Sequence, residues 1–223
     1  MLALKQALSL VSTPKLGLWS PSDETSLEAW YQNAVGITLN GSDVSQWDDS
    51  SGEGHDMSQG TAAAQPAYSA GVLTFDGTDD NLASNQINFI AGSESTIAIR
   101  GDFSSGTGTL LGDDDGTNAF INFTSTTVLR VRPTSGPADF TLPSGTFGDG
   151  YIVITRDSSY NINAYYNGVS ISASVNKGGN IKIDNMGSYS TTNFFNGTIK
   201  EVQLYTSTSA DLTANINSRL ASL

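Results

Sequence analysis

From Leu27 to the C-terminus, the sequence is a succession of short apolar runs bounded by glycine, asparagine, aspartate or serine. Runs of roughly four to eight residues with such boundaries are typical of β-strands, whereas helices need longer amphipathic stretches. The strand-like runs are GVLTFDG, STIAIRGDF, GTLLGDD, NAFINFT, VLRVRP, DGYIVITRD, NINAYYNG, NIKIDNMGSY and GTIKEVQLYT. Because no long helical pattern separates these nine runs, the sequence predicts an all-β domain.

Two of the runs carry more detailed information. YIVITRD and NINAYYNG are separated only by SSY, which predicts an antiparallel hairpin. In the second strand of this hairpin, alternate residues from Ile162 to Tyr166 share one face, and the residues between them share the other. In GTIKEVQLYT, Ile199 has the opposite parity to Val202 and Leu204, which predicts a β-bulge or burial on both faces.

The two ends of the chain have helical patterns instead. Residues 2–11 place apolar side chains at helical spacing, which predicts a short amphipathic helix or arm that needs a partner surface. At the other end, Ser209 can cap a helix that carries Leu212, Ile216 and Leu220 on one face. We therefore expect an N-terminal anchoring arm at 1–26 and a β-sandwich domain at 27–223.

Composition excludes several classes of function. Ten basic residues against 22 acidic ones give a formal net charge of −12, which repels phosphate backbones, so we expect no nucleic-acid partner. The chain has no cysteine, so disulfides and thiolate metal sites are excluded. No segment approaches the roughly 20 apolar residues that a membrane-spanning helix requires. We therefore expect a soluble protein with no membrane span.

Four longer segments follow one another along the chain: LEAWYQNAVGITLNGSDVSQWDDSSGEGHDMSQ, LTFDGTDDNL, YIVITRDSSYNINAYYNGVSIS and FFNGTIKEVQLYTSTSADLTANI. Their order and spacing, with a last strand followed by a short helix, resemble the laminin-G-like domains of the concanavalin A-like lectin and glucanase superfamily. This resemblance implies an antiparallel β-sandwich jelly roll from about Leu27 to the C-terminus, with a short C-terminal helix.

The opening MLALKQALSLVSTP, followed by WSPSDETSLEAWY, resembles the start of small virion proteins of T4-like phages that infect marine cyanobacteria. This resemblance implies a non-enzymatic structural or accessory protein of the virion, assembled in the host cytoplasm as part of the head, neck, baseplate or a fibre. Residues 1–15 would dock it to other virion proteins. It further implies a homo-oligomer whose lectin-like sandwich adheres to a host-surface glycan.

The stretch VSQWDDSSGEGHDMSQ raises the question of a catalytic or metal site, because it holds several acids and the single histidine. We interpret it as a turn in which Trp47 packs inward, Asp48 and Asp49 supply turn chemistry, and His55 is exposed. No G-x-S-x-G motif accompanies His55. The segment therefore favours architecture over catalysis.

Two acidic clusters could hold a hard cation. They are FDGTDDN, with Asp76, Asp79 and Asp80, and GDDDG, with Asp113 to Asp115. Loops that combine carboxylates with backbone carbonyls suit Ca²⁺. Asp76 and Asp80 are the better candidate ligands, because they flank a turn that contains glycine. The alternative interpretation is that both clusters are solvated turns.

Enzymatic activity is not expected. Glucanases of the resembling superfamily carry an E-x-D-x-x-E pattern on one strand, and the five glutamates of this chain are scattered. Two alternatives to the virion protein remain: a secreted carbohydrate-binding module, and a glycoside hydrolase or lyase. Several aromatic residues could stack on a sugar or fill the core, and the sequence does not separate these roles; they include Tyr160, Tyr165, Tyr189, Phe194 and Phe195.

Overall fold

The computed structural model describes residues 18–115, 118–190 and 192–223. The helix predicted for residues 2–11 and the docking segment 1–15 lie outside this described part, and the domain boundary at residue 26 stays a prediction. Within the described part there are 18 strands and one α-helix, α1 (Ala210–Leu220). Two 3₁₀ turns lie at Pro21–Asp23 and Ala62–Ala64.

The strands are β1 (Leu27–Tyr31), β2 (Ile37–Asn40), β3 (Asp43–Trp47), β4 (Met57–Ser58), β5 (Ala67–Ser69), β6 (Val72–Asp76), β7 (Leu82–Phe89), β8 (Ser95–Asp102), β9 (Gly108–Gly112), β10 (Phe120–Ser125), β11 (Val128–Arg132), β12 (Ala138–Thr141), β13 (Asp149–Arg156), β14 (Asn161–Tyr166), β15 (Val169–Ser170), β16 (Val175–Asn176), β17 (Ile181–Met186) and β18 (Asn196–Tyr205). All nine strand-like runs of the sequence are confirmed. The other nine strands are not among these runs. The longest of them is β7, whose centre, Ser84-Asn85-Gln86, is polar and does not alternate.

The strands form two antiparallel layers. In sheet A, one edge of β18 pairs with β6 along its first half and with β1 along its second half. From the other edge of β18 the order continues β8-β13-β14, and the short strands β15 and β16 pair with β14 at the end of the sheet. In sheet B the order is β2-β3-β4-β7-β17-β9-β10-β11-β12. Strand β5 pairs with both β3 and β6 and so joins the layers at one edge. The predicted all-β antiparallel sandwich is confirmed.

The inner faces of the two sheets enclose one continuous apolar core. The hairpin predicted from YIVITRD and NINAYYNG is the β13–β14 pair, with Arg156 opposite Ile162, and the alternate residues Ile162 and Ala164 face the core. In β18 the register against β8 shifts between Ile199 and Glu201. This is the predicted bulge, and it lets Ile199 enter the same core as Val202 despite the opposite parity.

Helix α1 covers the outer face of sheet A. Its predicted apolar stripe, Leu212, Ile216 and Leu220, packs in a second cluster with residues that include Val153 of β13 and Trp30 of β1. The predicted cap is also present, since the backbone N–H of Leu212 donates to Ser209 Oγ over 3.0 Å. The helix therefore helps to bury the outer face of the central strands β8, β13 and β18 of sheet A. No helix in the described ranges has the length and apolar character needed to cross a lipid bilayer.

A buried ion pair fixes α1 on sheet A. The side chain of Glu201 in β18 is fully buried, and its carboxylate accepts from Arg219 Nε at 2.5 Å and Arg219 Nη2 at 2.8 Å. It also accepts from Trp30 Nε1 at 3.1 Å, Gln203 Nε2 at 2.6 Å and the backbone N–H of Asn33 at 3.2 Å. A buried carboxylate requires such compensation, because its desolvation is costly.

Arg219→Met should lower the free energy of unfolding by about 3–5 kcal/mol, because it leaves the Glu201 carboxylate buried without a cation. Urea denaturation followed by tryptophan fluorescence measures this loss. The matched control is Arg130→Met, which breaks the partly exposed bidentate pair of Arg130 with Asp139 and should cost less than about 1 kcal/mol. Equal losses in the two variants would contradict the structural role assigned to the Glu201 pair.

Candidate functional site

The acid-rich stretch around Trp47 is a structural turn, as predicted. Trp47 is fully buried, its ring lies 5.7 Å from that of Tyr31, and its Nε1 donates to the backbone oxygens of Gln32 and Val35. The carboxylate of Asp49 accepts from the backbone N–H groups of Trp30, Ser51 and His55 and from the Ser51 hydroxyl. Burial opposes ionisation of Asp49, but these bonds outweigh it and lower its pKa.

The expectation that His55 is exposed is wrong. Only 8% of His55 is exposed, because β7 passes beside the turn and brings Asn85 against the ring. His55 Nδ1 lies 3.0 Å from Asn85 Oδ1, and Nε2 lies 3.4 Å from Glu28 Oε1. The imidazole thus has an amide and a carboxylate as neighbours. Its contact with Asn85 of β7 holds the turn against sheet B.

The predicted metal ligands Asp76 and Asp80 do come together, in the loop between β6 and β7. One oxygen from each of Asp76, Asp79 and Asp80 lies within 4.8 Å of the others. The loop is also held by its own hydrogen bonds: the N–H of Thr78 donates to Asp76 Oδ1 at 2.7 Å, and the N–H of Asp76 donates to Asp80 Oδ2 at 2.9 Å. Gly77, with φ of +79°, makes the turn.

The electrostatics of this loop favour a positive partner. Burial raises the pKa of Asp80 to about 6, and the charges of Asp76, Asp79 and Asp43 act in the same direction, whereas the bond from the Asp76 N–H opposes them. A divalent cation among the three carboxylates would relieve this repulsion, and clustered carboxylate oxygens are the donor type that Ca²⁺ prefers. The residues fit a Ca²⁺ ion, while its presence stays a prediction.

Among the described residues, the carboxylates of Asp113 and Asp115 in the second acidic cluster are engaged in structural contacts. Asp113 is fully buried and accepts from Gln86 Nε2 at 2.9 Å, while Asp115 pairs with Lys182 Nζ at 2.6 Å. The N–H of Asp114 donates to Asp184 Oδ1, whose pKa is raised, chiefly by burial. The cluster therefore connects β9 to β7 and β17 through structural contacts.

The glutamates give no support to a glycosidase. Glu201 is buried beneath α1 and paired with Arg219, and Glu28 lies against His55. Glu24 accepts from Trp19 Nε1 at 2.8 Å, and Glu94 accepts from the N–H of Thr208 at 3.3 Å. Four of the five glutamates are therefore engaged in contacts that hold elements together.

A groove lies between α1 and the β13–β14 hairpin on the outer side of sheet A. Its cavity volume is about 450 Å³, and its lining includes Thr155, Asp157, Asn163 and Tyr165 from the hairpin and Asn217 from α1. Strand alternation places Asn163 and Tyr165 here, since Ile162 and Ala164 face the core. We call this the helix groove.

Several polar side chains that line the helix groove form no hydrogen bond with other described residues. In the described part of the chain, the side chains of Asn163, Tyr165 and Asn217 make no hydrogen bonds, and Asn217 Oδ1 is buried without a partner. Asp157 at the rim keeps its charge, because hydrogen bonds from Asn161 lower its pKa. A half-buried aromatic ring among free amide groups is the composition of a site for a small, neutral, hydroxyl-rich ligand.

Sequence reasoning did not find the helix groove. In the sequence Tyr165 is one of several aromatic residues, and strand alternation places Asn163 on the same face as Tyr165. Asn217 belongs to a helix more than 50 positions away along the chain. The only local signal was the alternation of NINAYYNG, which cannot indicate that α1 packs beside this face.

The comparisons with known proteins agree with the fold. No family model matches the sequence, and no curated protein matches it. Among solved structures, a Trypanosoma rangeli sialidase matches with a TM-score of 0.59 and 14% identity, covering 89% of this chain and 33% of the sialidase. The receptor-binding domain of botulinum neurotoxin type G matches with a TM-score of 0.54 and 14% identity, covering 88% of this chain and 51% of that one.

A third match is the ligand-binding domain of botulinum neurotoxin serotype D in complex with N-acetylneuraminic acid, with a TM-score of 0.57 and 13% identity. It covers 88% of this chain and 51% of the toxin domain. The chain thus spans about half the length of these toxin domains. At such low identity the likeness establishes the fold alone: an antiparallel β-sandwich of the jelly-roll class.

Asp80→Asn should stabilise the metal-free protein at neutral pH and not at about pH 4. The folded-state pKa of Asp80 lies near 6, above its ordinary value of 3.8, so the native state loses stability as the pH rises through this window. The neutral amide removes this loss. Thermal melting in chelator at both pH values measures the effect.

Glu53→Gln, which removes one charge from an exposed loop residue, is the control and should not show this pH dependence. If the loop binds Ca²⁺, millimolar Ca²⁺ raises the melting temperature of the wild type, and Asp80→Asn abolishes that rise. The electrostatic account fails if Asp80→Asn melts at or below the wild-type temperature at neutral pH.

Proposed function

We propose that this chain is a non-catalytic, glycan-binding β-sandwich displayed on a bacteriophage particle. The observation that carries the binding function is the helix groove, where Tyr165, Asn163 and Asn217 present unused hydrogen-bonding groups around an aromatic surface. Buried polar groups are normally hydrogen-bonded, so a concave surface that leaves Asn217 Oδ1 buried without a partner among the described residues suits a polar ligand.

The character of the groove supports a neutral sugar as its ligand. Its lining includes hydroxyl and amide side chains, one tyrosine ring and one carboxylate, Asp157, and no lysine or arginine. Sugar rings have an apolar face that packs on aromatic side chains and a rim of hydroxyl groups that hydrogen-bond to amides. An anionic ligand would instead meet Asp157 without a compensating cation.

Fold similarity adds indirect support. The solved structures that share the fold include a toxin domain in complex with N-acetylneuraminic acid and a domain described as receptor-binding. Since a fold hosts many functions, this likeness raises the expectation of ligand binding without locating the site. The non-catalytic assignment agrees with the structural engagement of Glu28 and Glu201.

The location on a virion is proposed from the resemblance of the N-terminal sequence to small virion proteins of T4-like phages. Residues 1–15 would hold the domain on another virion protein, and copies of the chain would form a homo-oligomer. In this proposal the Asp76 loop holds Ca²⁺ and stiffens the connection between β6 and β7.

The glycan-binding proposal predicts that Tyr165→Ala and Asn163→Ala each weaken binding to the sugar that a glycan array identifies by at least about tenfold. Tyr165→Phe, which retains the ring, should lose less. Isothermal titration calorimetry on the full chain measures the affinities. The control is Asn88→Ala, which makes the same change at an exposed position of β7 in sheet B. Unchanged affinity in both groove variants would remove the site assignment.

The virion proposal predicts that deletion of residues 1–15 leaves the melting temperature nearly unchanged but abolishes incorporation into particles, because a short arm contributes little to the core. Quantitative mass spectrometry of purified particles measures incorporation. Intact mass of the wild-type chain tests the alternative of a secreted module, whose N-terminal segment would be removed. Wild-type levels of the truncated protein in particles would contradict the anchoring role.

A further inference from the structure

The outer face of sheet B carries a second cluster of unused polar groups, away from the helix groove. In β9 the register against β10 shifts between the pairs Ile121–Leu111 and Asn122–Thr109. This bulge sends both Leu110 and Leu111 into the core and leaves Thr109 on the outer face. The same face of β10 carries Phe120 and Asn122.

Phe120 forms the centre of this cluster. It belongs to neither of the two hydrophobic clusters, and its ring lies 5.0 Å from that of Tyr189. Across the sheet it pairs with Arg132 of β11, whose guanidinium carbon lies 5.6 Å from the Phe120 ring centroid. On its other side, Phe120 pairs with Gly112 of β9. Because Gly112 has no side chain, Tyr189 has room to lie across the strand at this position. The result is an aromatic pair with an arginine beside it.

Arg132 differs from the other four arginines of the chain, because each of those forms an ion pair or hydrogen bonds within the protein. Arg100, Arg130 and Arg219 pair with carboxylates, and Arg156 donates to backbone carbonyls. Among the described residues, the guanidinium of Arg132 has no hydrogen bond and no ion pair, and its Nε is buried without an acceptor. In a chain of net charge −12, an arginine without a carboxylate partner is unexpected on composition alone.

Two polar atoms next to Arg132 also have no hydrogen-bond partner among the described residues. Thr109 Oγ1 and Asn122 Oδ1 are buried without a partner, and Asn122 is only 7% exposed. Three of the four such atoms in the described part of the chain therefore lie on adjacent strands of this one face. Buried polar groups are hydrogen-bonded in the large majority of cases, so the unsatisfied groups of Arg132 and Asn122 mark this face for an additional partner, whereas Thr109 is fully buried and out of its reach.

We propose that Arg132, Phe120, Tyr189 and Asn122 form a binding site for a sugar unit that carries a carboxylate. The guanidinium offers parallel N–H donors that match a carboxylate. The half-buried ring of Tyr189, packed on the 8% exposed Phe120, offers an apolar surface for the sugar ring, and Asn122 lies one row further along the sheet for a hydroxyl group. A phosphate group is less suited, because the nearest arginine on this face, Arg130, is already neutralised by Asp139 at 2.7 Å.

This site is independent of the helix groove, since the two lie on opposite sheets of the sandwich and differ in charge. The test is calorimetric titration of the full chain with glucuronic acid, with glucose as the neutral counterpart and with acetate as a simple anion. We expect glucuronic acid to bind at least about tenfold more tightly than either of the others, and Arg132→Gln to remove that advantage.

Arg130→Gln is the matched control, because it removes an ion-paired arginine from the same face of the same strand; it should change the affinity by less than about twofold. Tyr189→Ala should weaken binding and Tyr189→Phe should retain it. If Arg132→Gln does not fold, Arg132→Lys is the alternative variant. It keeps the positive charge but lacks the paired N–H donors of the guanidinium, so its affinity for glucuronic acid should fall severalfold.

Equal affinity for glucose and glucuronic acid, or an equal loss in Arg130→Gln and Arg132→Gln, would overturn the assignment. Acetate binding as tight as that of glucuronic acid would reduce the cluster to a simple anion site and would overturn the sugar assignment. Absence of binding of glucuronic acid at concentrations up to about 10 mM would also overturn it.

Discussion

The second half of strand β18, from Glu201 to Tyr205, is buried on both of its faces, and the rest of the sandwich depends on how this is done. The inner face of β18 contributes Ile199, Val202 and Leu204 to the core, and its outer face lies beneath α1. On that outer face the side chain of Glu201 is fully buried, and Arg219 of the helix neutralises it. Apolar packing alone has no direction, whereas this bidentate pair sets the position of α1 on the sheet.

The position of α1 decides whether the helix groove exists. One wall of the groove is the β13–β14 hairpin and the other is α1, so a shift of the helix would separate Asn217 from Asn163 and Tyr165. The remaining candidate sites depend on other constraints. The Asp76 loop is held by hydrogen bonds from its backbone N–H groups to its own carboxylates, and the Arg132 cluster is held by the register of β9, β10 and β11.

The parts of the fold that sequence predicted are those that depend on neighbouring residues. Alternation identified the β13–β14 hairpin, and the parity of Ile199 indicated the bulge in β18. The carboxylates of Asp76 and Asp80 are only four positions apart, so a glycine-containing turn suffices to bring them together. His55 was misjudged for the complementary reason: Asn85, which covers it, lies 30 positions away on a strand whose polar centre gave no strand signal.

The sequence by itself determined the class of the fold, the capped C-terminal helix and the acidic loop, because each rests on short-range periodicity, turn chemistry and charge. Only the tertiary structure decided which polar side chains are left without partners. Whether Asn163, Asn217 or Arg132 finds a hydrogen bond depends on strands and helices that are distant in the chain. The order of strands within each sheet and the seating of α1 on sheet A set those neighbours, and both result from burying apolar faces together.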